Sequence, residues 1–146
     1  MALRLVLQGG VSCIVIPTHS LPILLADQDD NSRNRLAGVL RNEGFETLPA
    51  RTGGEAVDVV RARLVGITIL DVALPDLSGI ETFELISSVR RGVAGIFMAR
   101  ERSKETLARL LEAGAFTVLQ KPPRVETLID AVRRLSFRIG NEEKNY

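Results

Sequence analysis

Three charged side chains each stand at the end of a short apolar run in this sequence: Asp27, Asp71 and Lys121. An apolar run that breaks at one charged residue is typical of a buried strand that delivers this residue to an exposed strand end. The carboxyl ends of strands in an open α/β sheet are where ligands bind. Charged groups that meet there can bind a ligand, and they can also form a simple ion pair. The residue types alone leave both open.

Bringing these side chains together requires strands that end at a common edge. From residue 21 onward, apolar runs of strand length alternate with segments whose apolar residues recur at helical spacing. Five strand–helix pairs with continuously apolar strands predict an α/β fold, a doubly wound parallel sheet with helices on both faces. The predicted strands are residues 23–26, 45–50, 67–70, 95–99 and 116–120. The first, second and last helices are predicted at residues 32–42, 53–63 and 125–137.

Residues that begin and end helices agree with these bounds. Thr52, Ser78 and Ser103 are predicted N-caps, because a hydroxyl can accept a hydrogen bond from the first helical turn. Gly44 and Gly140 are predicted to end the first and last helices. Three leucines after Ser103 are predicted to face the core: Leu107, Leu110 and Leu111. Five arginines are predicted to lie on solvated helix faces: Arg33, Arg35, Arg41, Arg90 and Arg91.

Composition narrows the class of protein. The chain has 146 residues, 45% of them hydrophobic and 25% charged, as in an ordinary single globular domain. A net charge of +1 implies no general attraction to nucleic acid, and no segment has the length of a membrane-spanning helix. A single cysteine, Cys13, excludes an internal disulfide, and a secretory signal is not expected. We therefore expect a cytoplasmic protein that binds neither nucleic acid nor membrane.

Three motifs are specific in their order and spacing. They are Asp71 with Leu74-Pro75 and Gly79, the helix end Glu112–Ala115, and Lys121-Pro122. Together, over residues 22–138, they resemble the receiver domain of two-component response regulators. The resemblance implies a flavodoxin-like sheet of five parallel strands in the order 2-1-3-4-5. This order puts the second strand at an edge, where Pro49 is tolerated.

The resemblance also divides the chain. Residues 22–140 are expected to form the receiver domain, and residues 141–146 a C-terminal tail. Residues 1–21 are expected to be an N-terminal extension. Within it, two apolar segments flank Gly9-Gly10, which favours a hairpin. A poorly ordered extension, or a start codon set too early, is left open.

The resemblance implies a phosphoryl-accepting site. Asp71 would accept the phosphoryl group from a sensor histidine kinase, a phosphotransfer protein or a small phosphodonor. Mg²⁺ would neutralise the charge, bound by Asp71 and the backbone carbonyl of Ala73, and by Asp27 through water. Lys121 would pair with the phosphate or with Asp71. Such a domain is a signalling module and not an enzyme, apart from its own phosphorylation and dephosphorylation.

Four positions depart from the family pattern. Gln28 stands where the family has its direct carboxylate ligand, so it is expected to be a weak, altered ligand and Mg²⁺ binding is expected to be weak. Ala99 stands where the family has the Thr or Ser that bonds the phosphoryl group, and Val118 where it has the switching aromatic. Arg100, next to Ala99, would shield the site or contact phosphate. Weak or unconventional switching is expected.

Two other functions compete with the phosphorelay receiver. The first is a pseudo-receiver that acts independently of phosphorylation as a protein-interaction module. The second, more distant, is a haloacid-dehalogenase-type phosphatase, since Asp27-Gln28-Asp29 matches its Asp-x-Asp opening. As a receiver, the protein is expected to bind a downstream target through the face of helix four, strand five and helix five, and a homodimer is left open. Four arginines are expected around that face: Arg109, Arg124, Arg133 and Arg134.

Overall fold

The computed structural model describes residues 5–6, 12–13 and 21–144, with side chains of the last helix described through residue 137. The strands are β1 Leu5–Val6, β2 Ser12–Cys13, β3 Ile23–Ala26, β4 Thr47–Ala50, β5 Ile67–Asp71, β6 Ala94–Ala99 and β7 Ala115–Gln120. The helices are α1 Asp30–Asn42, α2 Gly53–Ala62, α3 Gly79–Val89, α4 Lys104–Glu112 and α5 Val125–Lys144.

Five strands form one parallel sheet in the order β4-β3-β5-β6-β7. Counted from β3, this is the predicted order 2-1-3-4-5, and the predicted fold class is confirmed. Pro49 lies in β4, at the edge of the sheet, where the missing N–H costs no ladder hydrogen bond on the open side. The carboxyl ends of β3, β5 and β7 therefore lie along one edge. Asp71 is the last residue of β5, and Asp27 and Lys121 directly follow β3 and β7.

The sheet is covered on both faces, because alternate residues of each strand point to opposite sides. Ile23 and Leu25 pack with α1 and α5 in one core cluster. Leu24 and Ala26 pack with α2, α3 and α4 in the other. All four side chains are at most 1% exposed. Strands buried on both faces explain the continuous apolar runs in the sequence.

The predicted N-caps are confirmed. Thr52, Ser78 and Ser103 accept hydrogen bonds from the first turns of α2, α3 and α4, and Ser78 forms a full capping box with Glu81. Helix α1 begins two residues earlier than predicted, because the carboxylate of Asp29 accepts the Ser32 N–H and serves as its cap.

Two predictions about helices are wrong. Helix α5 does not end at Gly140 but continues to Lys144, because a lone glycine costs only about 1 kcal/mol in a helix and no proline follows. Leu111 is 58% exposed, whereas Leu110 is fully buried. Consecutive helical residues point roughly 100° apart, so a helix that packs through one narrow stripe buries only one of the two.

Residues near the amino terminus include a short antiparallel pairing of Leu5 with Cys13 and of Val6 with Ser12. The rest of the predicted hairpin lies outside the described residues. None of the helices in the described part of the chain combines the length and the apolar character that a membrane crossing needs.

Candidate functional site

The three charged residues meet at the carboxyl edge of the sheet. The Lys121 Nζ donates hydrogen bonds to Asp27 Oδ1 at 2.9 Å and to Asp71 Oδ2 at 2.5 Å. Asp27 is 0% exposed, Asp71 5% and Lys121 8%. The sequence placed these residues after three different strands, and the parallel sheet brings them within hydrogen-bonding distance. Lys121 is thus the shared counter-ion of two buried carboxylates.

The charge state of Lys121 follows from these contacts. Burial by itself lowers the pKa of a lysine, because the charged form loses hydration. Here the hydrogen bonds and the opposite charges of Asp71 and Asp27 outweigh burial and raise the pKa of Lys121 above its usual 10.5. The ammonium is therefore charged at neutral pH and bonds both carboxyl groups.

Local turns fix both carboxylates from the backbone side. Asp71 Oδ1 accepts the Ala73 N–H at 2.9 Å, and Asp27 Oδ1 accepts the Asp29 N–H at 2.9 Å. Each is an Asp side chain that bonds the backbone two residues on, an arrangement that shapes the loop after a strand. One acceptor is left over, since Asp27 Oδ2 is buried and has no hydrogen-bond partner among the described residues.

Arg33 holds the loop that carries Asp27. Its guanidinium donates to the Asp27 backbone carbonyl at 2.8 Å and to Asp30 Oδ1 at 2.5 Å, and the residue is only 6% exposed. The prediction that Arg33 lies on a solvated helix face is wrong. A signal existed in the sequence, because Arg33 shares the helical spacing of the buried residues Leu36 and Leu40.

Gly79 is needed where α3 begins beside Asp71. A Cβ added at Gly79 would lie 2.6 Å from the Asp71 backbone oxygen and 2.8 Å from the Val72 Cα. The Gly79 N–H also bonds the Val72 carbonyl at 2.9 Å, and Ala73 forms an isolated bridge with Ser78. These contacts close the base of the loop between β5 and α3, which we call the acceptor loop (residues 71–79).

Gln28 contacts the same corner through its amide nitrogen. Its Nε2 donates to the Ala73 backbone carbonyl at 3.2 Å. Because a carbonyl oxygen only accepts, the NH₂ group and not the amide oxygen must face it. The Gln28 amide nitrogen therefore bonds the Ala73 carbonyl, which is one of the expected metal ligands. In this arrangement Gln28 is not itself a ligand.

The donor set suits a hard cation only in part. Asp27, Asp71 and the Ala73 carbonyl supply oxygen atoms, which Mg²⁺ prefers, and the unpartnered Asp27 Oδ2 is an acceptor that a hydrated cation could satisfy. Within residues 21–137, however, no three His, Cys, Asp or Glu side chains gather closely enough to hold a metal ion. The residues thus offer oxygen ligands for a cation, with one carboxylate fewer than the family pattern.

The two switch positions are buried and apolar. Ala99 is 1% exposed and Val118 8%, and both pack in the core cluster shared with α2, α3 and α4. The loop after Ala99 is tied to β7 instead: Gln120 donates from Nε2 to the Arg100 carbonyl and accepts from Arg102 Nε. This loop therefore has contacts that need no phosphoryl group.

An open cleft of about 650 Å³ leads to the charged cluster. Asp71, Ala73 and Lys121 line it from the sheet edge, and Arg100 lines it from the loop after β6. Arg100 is exposed and lies at this cleft, which Asp29 and Glu101 also line.

A model of the response regulator receiver domain family matches residues 23–133. The chain belongs to this family. Sporulation initiation phosphotransferase F of Bacillus subtilis (strain 168) is 28% identical over 112 residues, covering 77% of this chain and 90% of the relative. The DNA-binding response regulator MtrA of Mycolicibacterium smegmatis is 30% identical over 111 residues, covering 76% of this chain and 48% of MtrA. The chain thus spans about half, or less, of several longer relatives; for transcriptional regulatory protein ZraR of Escherichia coli it spans 24%.

Solved structures agree on the fold. A CheY-like receiver domain protein from Methanospirillum hungatei JF-1 superposes with a TM-score of 0.80 at 26% identity, covering 84% of this chain and 98% of the other.

Receiver domains act in two-component signalling, are generally not enzymes, generally bind Mg²⁺ at the phosphorylation site, and interact with histidine kinases or phosphotransfer proteins.

Two side chains that support the site could not be identified from the sequence pattern. Asp76, in the acceptor loop, accepts hydrogen bonds from the first two amides of α2, and Gln120 bridges to the loop after Ala99. Both contacts join residues about twenty positions apart. A single polar residue in a loop carries no periodicity, so only the folded chain reveals its partner.

Proposed function

We propose that this receiver domain accepts a phosphoryl group on Asp71 in a phosphorelay, with weak Mg²⁺ binding and weak or unconventional switching. The observation that supports this proposal most is the pair of hydrogen bonds from Lys121 to Asp27 and Asp71. It holds the acceptor carboxylate and a cation together in a cleft open to a donor. An ion pair with no further role would not need the unpartnered Asp27 Oδ2 or the cleft.

In the proposed reaction, a carboxylate oxygen of Asp71 forms a bond to phosphorus. The bond from phosphorus to the donor's nitrogen or oxygen breaks, and the leaving group keeps its electron pair and takes a proton from solvent. The Ala73 N–H holds the other carboxylate oxygen, and Lys121 offsets charge on the transferring group. Such transfer depends mainly on positioning and on electrostatic stabilisation, which these residues supply.

Mg²⁺, when bound, would neutralise negative charge shared between the phosphoryl group and the carboxylates. Asp71 and the Ala73 carbonyl would hold it directly, and Asp27 through water. Arg100 supplies a second positive charge at the cleft. It would partly compensate for the hydroxyl that Ala99 lacks, since a guanidinium donates well to phosphate oxygens.

The proposed partners are a sensor histidine kinase or a phosphotransfer protein on the input side, and a downstream protein on the face of α4, β7 and α5. Two of the four arginines expected there are already paired, Arg133 with Glu43 and Arg134 with Asp130. Arg109 and Arg124 are exposed. Of the four arginines, these two are therefore the ones that an acidic partner surface would complement.

Phosphorylation can be tested directly. Incubation with a small phosphodonor and Mg²⁺ is expected to add the mass of one phosphoryl group to the wild-type chain, and none to Asp71→Asn, which has no nucleophilic carboxylate. Intact-mass spectrometry gives the readout. Asp58→Asn, which alters an exposed carboxylate on α2, is the matched control and should be modified like the wild type. A wild-type chain that stays unmodified would contradict the proposal.

A second candidate is a pseudo-receiver that works by binding alone. It is favoured by one observation: apart from Asp27 Oδ2, the groups expected to meet a cation already have protein donors. Lys121 serves Asp27 and Asp71, and the Gln28 amide serves the Ala73 carbonyl. In this form the corner is stable without metal or phosphate. The mass experiment separates the two candidates.

Phosphorylation, where it occurs, is expected to move the loop after β6 and helix α4 little. A conformational change requires a differential interaction with the two states. Ala99 offers none, Val118 is packed in the core, and Gln120 already holds the loop. Backbone NMR with and without a phosphoryl mimic is the measurement. Shifts near Asp71 would prove occupancy, while large changes spread over residues 100–118 would contradict the expectation.

A further inference from the structure

The amino end of α2 holds a carboxylate that comes from another part of the chain. Asp76 Oδ1 accepts the Gly53 N–H at 2.8 Å, and Asp76 Oδ2 accepts the Gly54 N–H at 2.9 Å. The next amide, that of Glu55, bonds the N-cap Thr52 at 3.0 Å. The first three amides of a helix have no partner within it. In α2, two of these three amides donate to Asp76 in the acceptor loop.

The two elements also fit closely in space. A Cβ at Gly53 would lie 2.4 Å from Thr82 Oγ1 and 2.9 Å from Leu77 Cβ, and one at Gly54 would lie 3.3 Å from Asp76 Oδ2. Any larger residue at Gly53 would force the helix away from the loop and from α3. The two glycines thus permit the close approach on which both hydrogen bonds depend.

The acceptor loop has few other hydrogen-bonded anchors, although Leu74 packs against the core. Its base is closed by the Ala73–Ser78 bridge and the Gly79–Val72 hydrogen bond. Within the described part of the chain, the bonds of Asp76 are the only hydrogen bonds that join residues 74–77 to another element. The loop also contains the Ala73 N–H, which holds Asp71 Oδ1, and the Ala73 carbonyl. Ala73 thus lies at the base of the loop, next to the tip that Asp76 holds.

We propose that Asp76 is a positioning residue for the phosphoryl-accepting site: its carboxylate clamps the acceptor loop to the amino end of α2 and so fixes Ala73 beside Asp71. Electrostatics favour the clamp, because the partial positive charge of a helix amino end attracts a carboxylate. The same contacts, first among them the hydrogen bond from Gly54, lower the pKa of Asp76. The functional part of this inference rests on the proposed phosphorylation of Asp71.

The test compares Asp76→Ala with Thr52→Ala. Each variant removes capping from the same helical turn and should lower the melting temperature, but only Asp76→Ala releases the acceptor loop. Amide hydrogen exchange at Ala73 is expected to rise about fivefold in Asp76→Ala, the factor that corresponds to one lost cap, and to stay unchanged in Thr52→Ala. Asp76→Asn keeps one acceptor oxygen and should fall between Asp76→Ala and the wild type.

Functional readouts follow the same comparison. In Asp76→Ala, the Mg²⁺ dissociation constant should rise and the initial rate of Asp71 phosphorylation by a small phosphodonor should fall. Thr52→Ala should change neither. Equal behaviour of the two variants in exchange at Ala73 would overturn the clamp and leave Asp76 as a helix cap only. Because exchange is measured without phosphodonor, it decides on the clamp even if Asp71 proves not to be phosphorylated.

Discussion

Replacing Lys121 by methionine is expected to lower the free energy of unfolding by about 3–5 kcal/mol at neutral pH. Lys121 is the shared counter-ion of Asp27 and Asp71, which are 0% and 5% exposed. Its loss leaves two negative charges buried side by side. Methionine has a similar length and adds no charge, so packing changes little. Urea denaturation followed by circular dichroism measures the effect.

A matched control separates burial from ion pairing as such. Arg63 pairs with Glu46 at 3.3 Å, with about half of each side chain exposed. Arg63→Met removes this surface pair and should cost no more than about 1 kcal/mol. Adding Asp27→Asn to Lys121→Met should recover part of the loss, because one of the unpaired charges disappears. A Lys121→Met loss as small as that of Arg63→Met would show that both side chains are hydrated and that the corner is open to water.

The fold was predictable because its signals are local and repeated. Continuous apolar strands, helical spacing and the caps Thr52, Ser78 and Ser103 each specify a short segment, and the chirality and burial of parallel sheets leave few ways to combine them. The same rules brought Lys121 and Asp27 together, although 94 positions separate them. Strand ends are fixed by the sheet, so charged residues placed there inherit its geometry.

The rest depended on single side chains whose partners are set by the folded chain. Arg33 shares the helical spacing of Leu36 and Leu40, but its contacts with the loop after β3 depend on where α1 packs. Asp76 and Gln120 lie in or next to loops, where no periodicity marks them. Gln28 was identified as a substitution, but the direction of its amide follows from the position of the Ala73 carbonyl. The helices, the strands and the charged cluster could therefore be predicted from the sequence. The contacts around the cluster depend on how the chain folds.

The acids next to Gln28 are committed elsewhere, and this bears on metal binding. Asp29 caps α1 through the Ser32 N–H. Asp30 pairs with Arg33 at 2.5 Å and with Arg51 at 3.8 Å, and the hydrogen bond from Arg33 lowers the pKa of Asp30. Asp30 is thus held by two arginines, whereas Asp29 lines the cleft beside Asp71 while its Oδ1 caps α1. The corner should therefore respond to a carboxylate restored at position 28.

Gln28→Asp is expected to tighten Mg²⁺ binding at least about tenfold, or roughly 1.4 kcal/mol. The new carboxylate adds a charged oxygen ligand, and losing the Gln28 amide frees the Ala73 carbonyl. Phosphorylation of Asp71 should become faster, while Ala99 continues to limit switching. Without metal, the new carboxylate should lower the stability of the fold, because a third carboxylate near Asp27 and Asp71 adds repulsion. The metal-free variant should accordingly be less stable than the wild type.

Parallel Mg²⁺ titrations of the wild type, Gln28→Asp and Gln28→Ala test this expectation. Gln28→Ala frees the Ala73 carbonyl without adding charge, so it isolates the part of the gain that comes from the carboxylate. If charge dominates, Gln28→Ala binds Mg²⁺ far more weakly than Gln28→Asp. Equal affinities of the wild type and Gln28→Asp would mean that Asp29 or Asp30 leaves its present partner and supplies the charge. If Asp30 supplies the charge, it must first leave Arg33. Arg33→Met removes this partner, so Asp30 should reach the metal more easily in that variant.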